Sequence, residues 1–143
     1  MIIVDAAPII AAADSRDPSN GAAKAAIRGA REPLIIPAPV TAEIDYLLDQ
    51  RVGDRPRLQF YADIAAGHFQ VECLTQSEYQ NVLDLQLRYS SLNPGLADLS
   101  LVVLARRFRT TQLLTFDERH FRFIEPLQGG SFTLLPADAT IEQ

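Results

Sequence analysis

One cysteine, one lysine and two histidines are all this chain of 143 residues contains of those types. Cys73, in "FQVECL", has no partner for an internal disulfide. A reducing compartment, the cytoplasm, is therefore expected, with Cys73 as a core residue. Long apolar runs are missing too. No uncharged stretch approaches the ~20 apolar residues of a membrane span, so no membrane association is expected. The opening "MIIVDAAPIIAAAD" lacks the basic start of a signal peptide, and Asp5 interrupts its apolar stretch. Repeats, low-complexity tracts and linkers are absent, and the length suits one domain spanning 1–143.

Positive charge is scarce as well. Lys and Arg number 13 against 18 Asp and Glu, for a net charge of −5. Taken alone, that argues against a nucleic-acid binder, because phosphate contacts need cations. A site that gathers carboxylates around metal ions gives the same count, so acidity does not decide the matter. Every cation except Lys24 is arginine, whose planar fork suits phosphate.

What is present is alternation. The short apolar runs 2–4, 33–40, 68–74, 112–117 and 131–136 read as strands. Between them lie helical stretches: "PIIAAAD", "NGAAKAAIRGAR", "TAEIDYLLDQ" with Thr41 as N-cap, "RPRLQFYADIAAG" stopped by Gly67, "QSEYQNVLDLQLRYSSL" and "GLADLSLVVLARRFR". Strands alternating with helices predict an α/β fold with a mainly parallel sheet, covered by helices on both faces. In such sheets ligands bind at the carboxyl ends of the strands.

Three acids lie at that edge. Asp5 ends the first strand, Glu43 follows the second by three residues, and Asp117 ends "QLLTF". Asp98 lies near the start of a helix that is apolar nearly all round, with Asn93 as cap and Pro94 at the first position. It therefore faces inward with no capping task. Four carboxylates on one edge repel one another unless a cation compensates. Oxygen ligands favour Mg²⁺ or Mn²⁺ over zinc, and such sites hydrolyse phosphate esters. Asp5 is thus read as a metal ligand. Each acid also has a plainer reading. Asp5 and Asp117 can form turns, and Glu43 can sit in a helix's first turn for its dipole. Their order and spacing favour the shared site.

The stretches "MIIVDAAPIIAAA", "LIIPAPVTAEIDYLL", "GLADLSLVVLARR" and "LLTFDERHF" resemble the four acidic motifs of PIN-domain ribonucleases, in particular the VapC-type toxins of bacterial toxin–antitoxin pairs. The resemblance spans nearly the whole chain. It implies a three-layer α/β/α sandwich around about five short strands. It also implies a metal-dependent endoribonuclease using Mg²⁺ or Mn²⁺, which cuts RNA to leave a 5′-phosphate and a 3′-hydroxyl. Asp5, Asp98 and Asp117 would hold the metal, Glu43 would complete the set or move a proton, and Thr115 would support the site. A cognate antitoxin and a homodimer are implied partners.

One departure stands out. The family places Thr or Ser just after the first acid, where this chain has Ala6 and Ala7. An RNA- or protein-binding module with weakened catalysis is therefore the alternative. A haloacid-dehalogenase-like phosphatase fits less well, since it needs a second Asp at the position of Ala7. Arg119 and Arg122 are candidates for RNA phosphate. Arg106, Arg107 and Arg109 close a helix, where cations suit the dipole. His68 is read as structural and His120 as a partly exposed loop residue without a role. Asp45, two residues from Glu43, falls on another helix face. By the resemblance, Ile44, Leu47, Leu48, Phe60, Tyr61 and Ile64 contribute to an antitoxin groove, although about half of the apolar residues in 44–64 are expected in the core.

Overall fold

The computed structural model describes residues 1–140. In chain order the elements are β1 (Ile2–Val4), α1 (Ala6–Ala13), α2 (Asn20–Arg28), β2 (Leu34–Pro37), α3 (Ala38–Arg51) and α4 (Asp54–Ala65). Then follow β3 (Gln70–Glu72), α5 (Glu78–Arg88), α6 (Gly95–Arg107), β4 (Gln112–Leu114), α7 (Glu118–Phe121) and β5 (Thr133–Leu135). The five strands form one parallel sheet in the order β3-β2-β1-β4-β5. This is the expected PIN-like α/β arrangement.

The central strands are short, and two of them are buried along their whole length. Every residue of β1 and β2 is buried, as suits β-branched runs covered on both faces. The register sets Ile3 beside Ile35 on one side and Leu113 on the other. After β1 the sheet grows outward through β2 and β3, then returns to add β4 and β5 on the opposite side. Right-handed crossovers put the two sets of connecting helices on opposite faces. The reversal opens a crevice between the carboxyl ends of β1 and β4, where such sheets bind ligands. Behind it runs α6, buried from Leu99 through Ala105.

Several boundaries differ from the sequence expectation. Helix α3 starts at Ala38, not Thr41, because proline is tolerated in a first helical turn and Pro39 does not prolong the strand. Thr41 therefore lies inside α3, and its hydroxyl donates to the Ala38 carbonyl at 2.6 Å. Helix α6 starts at Gly95 with Pro94 at the cap position, so Asn93 does not cap it. Asn93 sits at φ 46°, and its side-chain oxygen accepts from Gln86. Strand β4 stops at Leu114, leaving Asp117 to cap the short helix α7, which was not foreseen. Cys73 is exposed rather than buried. It follows β3, which lies at the sheet edge and is itself only partly covered. Arg107 secures that edge by bonding Glu72, Glu78 and the Cys73 carbonyl.

The packing of α6 against the sheet makes a stability prediction. Leu104 is fully buried, and Leu104→Ala is expected to cost about 2–5 kcal/mol in urea unfolding. Leu87 is 67% exposed, and Leu87→Ala should change stability by no more than about 0.5 kcal/mol. Similar losses for both variants would contradict this arrangement.

Candidate active site

Asp5 is the N-cap of α1 and only 8% exposed. Its backbone N–H donates to the Leu114 carbonyl at 2.9 Å, which pins it to β4. One carboxylate oxygen accepts the Ala6 N–H at 2.8 Å, and the other accepts the Thr115 hydroxyl at 2.8 Å. Burial raises the proton affinity of Asp5 above the usual carboxylate range, and the negative charge of Asp117 adds to this. The Thr115 and Ala6 donors offset only part of the rise. Thr115 is 1% exposed, and its hydroxyl oxygen also accepts the Asp117 N–H at 3.0 Å. An orienting hydroxyl thus reaches Asp5 from just beyond β4, while none is offered at Ala6 or Ala7.

Asp98 projects from the first turn of α6. Its pKa is pushed up to about 7, first by burial and then by the charge of Asp5, with Asp117 and Glu43 adding and His120 opposing. Glu43 stands in α3, and its proton affinity is raised by the surrounding protein and by Asp5, while Arg51 pulls the other way. The Asp117 carboxylate accepts twice from His120, from its N–H at 2.9 Å and from its ring Nδ1 at 2.6 Å.

Asp5, Glu43, Asp98 and Asp117 line one cleft of about 350 Å³. Ile10, Leu47 and Phe116 supply apolar wall, and Asp17 and Arg51 complete the charged rim. The cleft lining offers carboxylate oxygens, and Asp98, Asp117 and His120 each bring a possible ligand atom within 4.8 Å of the others. Burial and neighbouring carboxylates push Asp5, Glu43 and Asp98 toward protonation. A hard divalent cation relieves that strain, so these residues fit Mg²⁺ or Mn²⁺.

Other sequence readings fare differently. Arg122 does not line the cleft; it is bound to Glu118 at 2.8 Å and Asp138 at 2.6 Å. Arg119 is exposed and lies outside the cleft lining. Arg51, which the sequence did not single out, is the cation that lines it. His120 is not a free loop residue: its side chain is 17% exposed and bridges Asp117 and Asp98. The available signal was its i,i+3 spacing from Asp117, but a four-residue helix has too little sequence to announce itself. Asp45 does face elsewhere, paired with Arg57 at 2.7 Å. Of the six residues read as a partner groove, Ile44 and Leu48 are 0% exposed and Phe60 4%, so these three belong to the core instead. Tyr61 is exposed, and Leu47 and Ile64 are half-buried.

No protein-family model matches the sequence. The chain is 33% identical over 135 residues to Ribonuclease VapC26 of Mycobacterium tuberculosis, a match covering 94% of this chain and 100% of the relative. Its fold is similar to the crystal structure of Mycobacterium tuberculosis VapC20, a toxin that cleaves the sarcin–ricin loop. That likeness has a TM-score of 0.75 at 20% identity and covers 82% of this chain and 90% of the other.

The raised groups fix a pH dependence. In metal-free protein, folded Asp98 keeps its proton up to about pH 7, whereas the unfolded chain releases it near its ordinary 3.8. Between those values the folded state binds more protons, so stability falls as pH rises. Asp5 and His120, both raised, act in the same direction. Asp98→Asn should therefore raise the Tm of EDTA-treated protein at pH 8 by about a few degrees and leave it nearly unchanged at pH 4. Equal shifts at the two pH values, followed by circular dichroism, would refute the charge conflict.

Proposed function

The chain belongs to the VapC family of PIN-domain ribonucleases, and from that premise we propose that Asp5, Glu43, Asp98 and Asp117 make it a metal-dependent endoribonuclease, the toxin of a toxin–antitoxin pair. The observation that carries this reading is the convergence of four carboxylates in one cleft at the sheet's topological switch point. Asp5, Asp98 and Asp117 would hold Mg²⁺ or Mn²⁺. When bound, the metal activates water and neutralises charge developing on the phosphodiester.

The chain's own residues do the rest. Thr115 holds the Asp5 carboxylate in one orientation. Glu43, with its raised proton affinity, is suited to take a proton from the attacking water. Arg51 lines the same cleft and offers its guanidinium to an RNA phosphate. Arg119 remains available at the surface for flanking phosphates. The walls of Ile10, Leu47 and Phe116 narrow the cleft around a single strand.

An antitoxin would cover the same region. Leu47 lines the acidic cleft, and Tyr61 and Ile64 lie on α4, the next helix. Near them runs a second groove of about 470 Å³, lined by Ile9, Leu48, Phe60 and Phe69, by three cations, Lys24, Arg28 and Arg55, and by one acid, Asp63. That combination suits an apolar segment with acidic flanks.

Purified protein incubated with total cellular RNA and Mn²⁺ or Mg²⁺ is expected to cleave, and EDTA is expected to stop it. Asp98→Asn should lower the rate by at least about a hundredfold, since removing a ligand costs more than the 10–100-fold typical of its supporting partners. Arg51→Ala should raise KM for RNA by about 3–10-fold and flatten the salt dependence, without weakening metal affinity. Folded protein that neither cleaves RNA nor binds metal would overturn the nuclease reading in favour of a binding module.

A further inference from the structure

Asp98 and Asp117 come from different parts of the chain, one from α6 and one from the turn after β4. A single side chain stands between them. The Nδ1 of His120 lies 2.6 Å from one Asp117 oxygen and 3.4 Å from an Asp98 oxygen. Its Nε2 lies 3.2 Å from the Leu92 carbonyl, in the turn that leads into α6. The His120 backbone N–H holds the second Asp117 oxygen at 2.9 Å.

We propose that His120 is a positioning residue, whose imidazole fixes the separation and orientation of Asp98 and Asp117 so that both address one divalent cation. The proposal rests on the metal-nuclease reading above.

Asp98, Asp117 and His120 lie close enough to share an ion, but in this geometry both ring nitrogens of His120 are already engaged. A ligating nitrogen must turn a lone pair toward the ion, whereas Nε2 faces a carbonyl, which can only accept, and Nδ1 faces carboxylate. Partners of this kind orient ligating groups from behind. The ring is also braced. Gln86 bonds both Asn93 and the Gly95 N–H, which stiffens the turn that offers Leu92. A second tie joins the same two regions, because the Tyr89 hydroxyl accepts the Glu125 N–H at 3.1 Å. Helix α7 has an anchor of its own in Phe121, 2% exposed and edge-on to Phe132. Losing the imidazole therefore frees two carboxylates without undocking the helix.

The two ring nitrogens can be tested separately. An asparagine amide at position 120 reaches where Nδ1 is, and a glutamine amide reaches where Nε2 is. Mn²⁺ affinity is measured by calorimetry on the RNA-free protein, with thermal unfolding in EDTA as a check of the fold. His120→Ala is expected to weaken Mn²⁺ binding by about 10–100-fold with little change in Tm. His120→Asn should recover much of the affinity, and His120→Gln should recover less. Pulsed electron paramagnetic resonance of bound Mn²⁺ should show no directly coordinated nitrogen. Unchanged affinity in His120→Ala overturns the proposal, as does a ligating nitrogen that disappears in that variant. Should His120→Ala not fold, equal affinities for the Asn and Gln variants overturn it. Wild-type protein that binds no divalent cation overturns the metal reading of the whole site, and this proposal with it; wild-type binding beside an indifferent variant overturns this proposal alone.

Discussion

The buried bond from the Thr115 hydroxyl to the Asp5 carboxylate, 2.8 Å long, joins the two strands between which the sheet reverses its direction of growth. Asp5 caps α1 from the end of β1, and Thr115 lies just beyond β4. The same hydroxyl receives the Asp117 N–H, so one oxygen sets the position of two acids. A carboxylate buried without compensation costs several kcal/mol. This one keeps two donors and still has a raised proton affinity. The fold therefore holds a site whose charges are oriented but not neutralised. That is the condition in which a cation gains most by entering.

The remaining acids reach this point by different routes. Strand β2 delivers α3 directly, and α3 carries Glu43 to the rim. Helix α6 is buried from Leu99 through Ala105, so its first turn has one partly open side, and Asp98 stands there. The apolar packing of α6 and the polar cleft at its end are two consequences of one placement.

The acids were legible in the sequence because each adjoins, at short range, an apolar run that reads as a buried strand or helix. Asp5 after "IIV" and Asp98 in an otherwise apolar helix needed no tertiary knowledge. His120 did, since its meaning depends on the Leu92 carbonyl, 28 residues away, and on a helix of four residues. Arg51 was hidden for a similar reason: a cation at a helix end satisfies the dipole wherever it points. Strand ends were misjudged where proline or a turn former continued an apolar run, as at Pro39 and Phe116. Cys73 reads as core from its apolar neighbours, but strand order puts β3 at the edge. Ile44, Leu48 and Phe60 show the converse. An apolar stretch long enough to suggest a partner face was in part needed for the core.

A net charge of −5 looks unsuited to RNA until the acids are placed. Five of them line the cleft, and three of these are pushed toward protonation there. Elsewhere many acids are already paired, as Asp45 is with Arg57 and Asp138 with Arg122. A phosphodiester approaching the cleft thus meets Arg51 and, on the nuclease reading, a cation held by carboxylates that neutralise one another's repulsion through it. Phosphate responds to the local field and not to the sum over the chain, because salt screens charges beyond about 8–10 Å. Acidity in the composition and recognition of an acidic polymer are then compatible. On the same reading, RNA binding would depend on divalent metal rather than on a broad basic surface.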